Sequence, residues 1–326
     1  MPLARWSELA SQSILHTFIG ALYVEALVRG WRIRHPDQRL GLRLLALATP
    51  LVLVPALVLL YPARRSAAFL DEGALFAGRH WDELRLLGVG LHQLWLGAFA
   101  AAGTALFLMD LLPLFRRRRD DWQGSAPPDG VAVAVAELAR RMRLPPPAIH
   151  FRDTAQPFLF CTGVRKPALV ISRGTLDLLD PQELRAALAH ELGHLSRRDP
   201  AVSWGLMGAR ALQFFNPAFQ VVARAMAKDA EWRADESAAR TCGDRLALAA
   251  GLLKLYRATE GVPAAPGRRN LPLAGALAGP LAEARALDLE RRCRRLLEPA
   301  PRPAPWGVLR VLLAAAALSV LLYFVA

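Results

Sequence analysis

The sequence predicts a mainly α-helical membrane protein: four transmembrane helices, and an α+β domain with a small sheet between the third and the fourth. Three observations predict it. Hydrophobic residues make up 54% of the 326 positions, which is high for a wholly water-soluble chain. Four apolar runs approach or exceed the length of a bilayer span. Between the third and fourth runs the pattern changes to amphipathic helices, short β-branched segments and turn residues.

The first run covers residues 9–28, and Gln12, His16 and Glu25 make it the least apolar of the four. The second, residues 44–61, carries no charge, and its Pro50 and Pro55 imply a kink that neighbouring helices tolerate in a bilayer. The third, residues 86–115, is longer than the ~20 residues a span needs. The fourth covers residues 306–326. The chain therefore divides into three N-terminal helices with their loops (1–115), an intervening domain (116–302) and a last helix (303–326). The sequence ends directly after the fourth run, so no further extracellular domain is expected beyond it.

The net charge is +13 and comes almost wholly from arginine, since Lys166, Lys228 and Lys254 are the only lysines. No nucleic-acid-binding motif accompanies it. The surplus therefore argues for anionic lipid and cytoplasmic loops rather than nucleic acid. Five arginines between residues 29 and 43, and the run Arg116 to Arg119, place the first loop and the 116–302 domain on the cytoplasmic side of a bacterial inner or plasma membrane. Arg64 and Arg65 in the second loop argue the other way. Cys161, Cys242 and Cys293 are far apart with no CxxC pair, which argues against a disulfide framework and a cysteine-ligated metal.

Within the domain, residues 131–142 read as a helix. "PPPAIHF" breaks it and enters a strand, and "PALVIS", 167–172, is a second strand candidate. Asp180 as N-cap, Pro181 at the first helical position and Glu183 as the capping-box partner start the next helix. Helical stretches follow at 204–215 and 217–242. The Gly- and Pro-rich stretch 259–280 reads as a linker, and 281–297 as a basic amphipathic helix.

The helix that opens at Asp180 contains "ALAHELGHLSRRDP". His190 and His194 lie four residues apart, hence one turn apart on one face. Two imidazoles so placed can meet one tetrahedral zinc at about 2.0–2.1 Å. Glu191 falls beside the open coordination position, where a general base for a zinc-activated water is needed. A catalytic zinc needs a third protein ligand. "DAEWRADESAA" offers Glu231 as that ligand, and Asp235, one turn on, as the acceptor that orients a ligand histidine. One zinc ion per chain is expected.

Residues 157–200 together with "FFNPAFQVVARAMAKDAEWRADESAA" resemble membrane-integrated zinc metallopeptidases of the gluzincin group. They look most like the BlaR/MecR-type sensor-transducer peptidases, with the HtpX and CAAX prenyl protease types as near relatives. The resemblance implies His190, His194 and Glu231 as metal ligands, Glu191 as base and a zincin-like protease domain. It also implies a protein or peptide substrate beside the lipid bilayer. That substrate could be a repressor, a membrane protein or the chain's own 259–280 linker. A quality-control protease of the HtpX type and a non-catalytic signalling scaffold stand as alternatives. The HtpX type has two spans between the histidines and the third ligand; here residues 203–230 carry Arg210, Arg224, Lys228 and Asp229 and do not read as two spans.

Other polar residues have plainer readings. His16 and His92 suit helix–helix or headgroup contacts, and Asp110 suits the arginine run. Cys161 reads as a small buried thiol. Asp229 and Glu236 read as solvated residues on other faces of the Glu231 helix. Arg197, Arg198 and Asp199 read as charges closing the motif helix. No residue stands out as stabiliser of a transition state.

Overall fold

The computed structural model describes residues 2–66, 68–69, 85–86, 88–116, 125–163, 166–260, 272–300 and 307–325. Arg117 to Arg119 of the basic run, most of the second loop and residues 261–271 of the expected linker lie outside the described residues. The chain divides into two compact units, each built from separate stretches of sequence. One contains Met1–Arg118, Trp204–Ala230 and Pro301–Ala326; the other contains Arg119–Ser203 and Glu231–Ala300.

The first unit is helical. It contains α1 (Pro2–Gly30), α2 (Pro36–Ala48), α3 (Val54–Leu60) and α4 (Leu91–Arg116). A two-residue hairpin, β1 (Arg85–Leu86) and β2 (Val89–Gly90), precedes α4. Between α2 and α3, Thr49–Leu53 forms a π-helical turn, with the Val54 N–H donating to the carbonyl of Thr49. Pro50 and Pro55 flank it, and their missing N–H groups are why the ladder shifts there.

Two stretches are long and apolar enough to cross a membrane, Pro36–Leu57 and Gln93–Leu111. They match the second and third expected spans. The first expected span lies on α1, where Gln12, His16 and Glu25 keep the apolarity below that of the other two. The fourth is a helix of 17 residues, Gly307–Tyr323. Among the described residues, length and apolarity thus mark two of the four expected spans. Arg64 is buried, and its guanidinium donates to the carbonyls of Leu322, Tyr323 and Val325 at the end of that last helix. It serves as a helix C-cap, which accounts for an arginine that runs against the charge asymmetry. His16 Nε2 meets the Val325 carbonyl at 2.8 Å, a helix–helix contact as expected.

Residues 204–230 belong to this helical unit. Their hydropathy is misleading because their charges are paired inward. Arg210 and Arg224 both donate to Asp110 on α4, so Asp110 meets these two and not the arginine run. At the turn, Asn216 donates to Thr17 Oγ1 and Ser13 donates to Gln213. Gly103 on α4 lies against this turn, and a Cβ there would stand 2.6 Å from the Phe215 carbonyl carbon.

The second unit holds a three-stranded sheet in the order β3-β5-β4. β5 (Ala168–Ser172) is fully buried, parallel to β3 (Ala148–Arg152) and antiparallel to β4 (Leu159–Thr162). β3 and β5 match the strands read from sequence, whereas β4 is new. α5 (Asp129–Arg141), α6 (Arg173–Leu178), α7 (Pro181–Ser196), α10 (Arg245–Glu260) and α11 (Pro272–Leu297) complete the unit. α11 begins inside the stretch expected to be linker. Two long helices run through both units: α8 (Asp199–Leu212) and α9 (Pro217–Cys242). The last apolar helix of the first unit is α12 (Gly307–Tyr323).

The core of the second unit forms where α7 lies on β5. Leu188, Ala189 and Leu192 pack with Leu169 and Ile171, with Val135 and Leu138 of α5, and with Leu248 and Leu296. Burying residues of this size contributes roughly 1.5–3 kcal/mol each. This anchors the apolar face of α7 and leaves its histidine face for the site.

Candidate metal centre

α7 starts with the predicted capping box. Asp180 accepts from the N–H groups of Gln182 and Glu183, and Glu183 accepts from the Asp180 N–H. This fixes the helix start ten residues before His190. Gly193 faces α9. A Cβ there would meet Ala234 Cα at 3.7 Å, an ordinary contact, so any larger side chain would part the two helices. The close approach brings Glu231 and Asp235 of α9 up to the histidines.

His190, His194 and Glu231 converge, with one ligand atom from each lying within 4.8 Å of the others. Nε2 of His190 is 3.2 Å from Nε2 of His194. The Glu231 carboxylate oxygens lie 3.6 Å from His190 Nε2 and 3.7 Å from His194 Nε2. Ligands at about 2.0–2.1 Å from a tetrahedral ion stand roughly 3.3 Å apart, so the spacing suits one such ion. The ring protonation suits it too. His190 Nδ1 lies 2.9 Å from Asp235 Oδ1, and His194 Nδ1 lies 2.9 Å from Asp199 Oδ2. With protons held at both Nδ1 atoms, the two Nε2 atoms face each other with lone pairs, which a cation between them relieves.

Each aspartate is in turn held by an arginine. Arg292 of α11 donates from Nε and Nη2 to the two oxygens of Asp235, each at 2.7 Å, and its Nη1 lies 3.2 Å from Glu231. Arg233 donates to Asp199 at 2.7 Å. Burial alone would raise Asp235, but Arg292 and His190 hold it well below the usual carboxylate range. Burial opposes Glu231 in the same way, while its hydrogen bond to His190 and the charge of Arg292 bring it down to about 2. Burial lowers His190, yet the carboxylates of Asp235 and Glu231 outweigh it and raise the metal-free ring to about 10. The pocket is built to hold positive charge.

Glu191 accepts from the Cys161 backbone N–H through Oε2 at 2.9 Å, so the edge strand β4 orients it. Burial raises its pKa, which strengthens it as a base. The Cys161 thiol is partly buried, and burial beside Glu191 raises it far above the usual thiol range. Cys161 matters here through its backbone.

All five residues read from sequence, His190, Glu191, His194, Glu231 and Asp235, meet at this one place. Three expectations are corrected. Asp199 does not merely close the motif helix; it faces His194. Asp229 is fully buried against Arg39 and Arg43 rather than solvated. Glu236 is buried against Arg245. Asp199 carried a weak signal, a carboxylate five residues past the second histidine. Arg292 carried none, because 57 residues separate it from Asp235.

A profile of the family described as BlaR1 peptidase M56 matches residues 90–265. Among curated proteins, the chain is similar to three described as Protease HtpX homolog. The one from Aquifex aeolicus is 32% identical over 188 residues, covering 44% of this chain and 62% of that protein. The one from Pseudarthrobacter chlorophenolicus is 30% identical over 241 residues, covering 61% and 82%. The one from Persephonella marina is 31% identical over 214 residues, covering 52% and 74%.

Proposed function

We propose, from the premise that this chain belongs to the BlaR1 peptidase M56 family, that it is a membrane-bound zinc metalloendopeptidase with its site at the cytoplasmic face. The observation that carries this reading is the convergence of His190, His194 and Glu231, with Glu191 as the residue next to the first ligand. The apolar stretches Pro36–Leu57 and Gln93–Leu111, with α1 and α12 as further spans, support a membrane setting. The arginines between residues 29 and 43 support the cytoplasmic side. Residues 119–203 and 231–300 form the protease part, within the 116–302 domain read from sequence.

The residues divide the work. His190 and His194 offer Nε2, and Glu231 offers a carboxylate oxygen. Asp235 and Asp199 hold the ring tautomers. Zinc, when bound there, supplies a Lewis acid that activates water and polarises a peptide carbonyl. Glu191 takes the proton from the attacking water and delivers it to the departing amine nitrogen. Glu231 keeps 40% of its side chain exposed, which leaves the pocket open to water and substrate. β4 is an edge strand and can receive an extended peptide beside Glu191.

The test compares wild type with Glu191→Gln in native membranes. Zinc stoichiometry should stay near one per chain in both, while cleavage in the variant should fall by at least ~100-fold. A wild-type chain that binds no zinc, or undiminished cleavage by Glu191→Gln, would sink the reading. The fragments that vanish identify the substrate: a repressor marks signalling, damaged membrane proteins mark quality control, and the chain's own fragments mark self-cleavage.

A further inference from the structure

Asp229 has no accessible surface, yet it lies on α9 only two residues before Glu231. Both of its oxygens are taken by arginines of α2. Arg39 Nε donates to Oδ1 at 3.0 Å, and Arg43 Nη1 donates to Oδ2. Arg43 Nη1 also donates to the Ala225 carbonyl at 3.1 Å, one turn earlier on α9. Two bonds one turn apart fix both the height and the rotation of a helix. α2 opens the apolar stretch Pro36–Leu57, and α9 runs unbroken from Pro217 to Cys242 through Glu231.

We infer that Arg39, Arg43 and Asp229 position the third metal ligand, by locking the register of α9 against α2. The inference rests on the reading of Glu231 as a ligand. Two residues along a helix amount to ~3 Å of rise and ~200° of rotation, so Asp229 is held on the face nearly opposite Glu231. A slip of one residue moves Glu231 by ~1.5 Å and turns it ~100° away from the histidines. The slip would also strand a buried charge without its partner, which is strongly unfavourable. The clamp therefore admits one register. It also makes the metal centre responsive to α2, because a shift of that helix is passed along α9 to Glu231.

The test measures zinc affinity of the full chain in detergent, by competition with a chromophoric chelator. Arg43→Gln and Asp229→Asn should each weaken zinc binding by about 10- to 100-fold. Arg39→Gln keeps one arginine on Asp229 and should weaken it less. Arg43→Lys should restore most of the affinity. In a Glu231→Gln background, Arg43→Gln should cause no further loss, because its effect acts through that ligand. Unchanged zinc affinity in Arg39→Gln and Arg43→Gln, or an equal loss in both backgrounds, would overturn the inference and leave a purely structural ion pair. A wild-type chain that binds no zinc would overturn the metal-centre reading and this inference with it.

Discussion

Arg292 grips Asp235 with two parallel hydrogen bonds of 2.7 Å, and Asp235 lies 2.9 Å from the ring of His190. A second relay of the same kind runs from Arg233 to Asp199 to His194. Each histidine thus stands at the end of an arginine–aspartate pair. The paired charge keeps each aspartate ionised, and the ionised aspartate keeps the ring proton at Nδ1.

Arg292→Met is expected to leave Asp235 and Glu231 enclosed without their cation. Breaking a buried pair from one side costs about 3–5 kcal/mol. Denaturant unfolding of the metal-free protein should show the loss, and added zinc should recover part of it. Arg292→Lys should fall between the two, because an ammonium cannot make the paired bonds of a guanidinium.

Asp199→Asn removes the charge behind His194 at nearly constant size. Zinc affinity should fall by about 10- to 100-fold, as for other residues that orient a ligand. Chelator competition reads this directly, and an affinity equal to wild type would show that His194 needs no such partner.

Gly193→Val should push α7 and α9 apart at Ala234. The expected result is a weaker third ligand, with loss of zinc and of cleavage together, while circular dichroism reports an intact helix content. Gly193→Ala should be tolerated, since its Cβ meets only an ordinary contact.

Zinc removal should lower the unfolding stability of the purified chain. At free zinc a thousandfold above Kd, the difference is about 4 kcal/mol. A melting curve indifferent to chelator would count against a tight site.

The centre was legible wherever it depends on the helical repeat. His190 and His194, Glu231 and Asp235 are spaced one turn apart, and Asp180 with Glu183 marks where the helix starts. The relay arginines were not legible, because Arg292 meets Asp235 only after α11 folds back. β4 was missed because four residues, "LFCT", give too short a pattern for alternation to show. Residues 204–230 looked too polar to join an apolar helical unit. Arg210 and Arg224 spend their charges on Asp110, and a hydropathy count has no knowledge of that pairing.

The second compact unit is interrupted in sequence by residues 204–230, and this sets an order in time. A chain emerging from the ribosome presents both histidines and Glu191 first. It lacks Glu231 and Asp235 until the chain returns along α9, and Arg292 arrives last of all. On the proposed chemistry, the newborn chain cannot cut its neighbours while it is being made. A latency that other hydrolases obtain from a removable prosegment would follow here from the path of the chain alone.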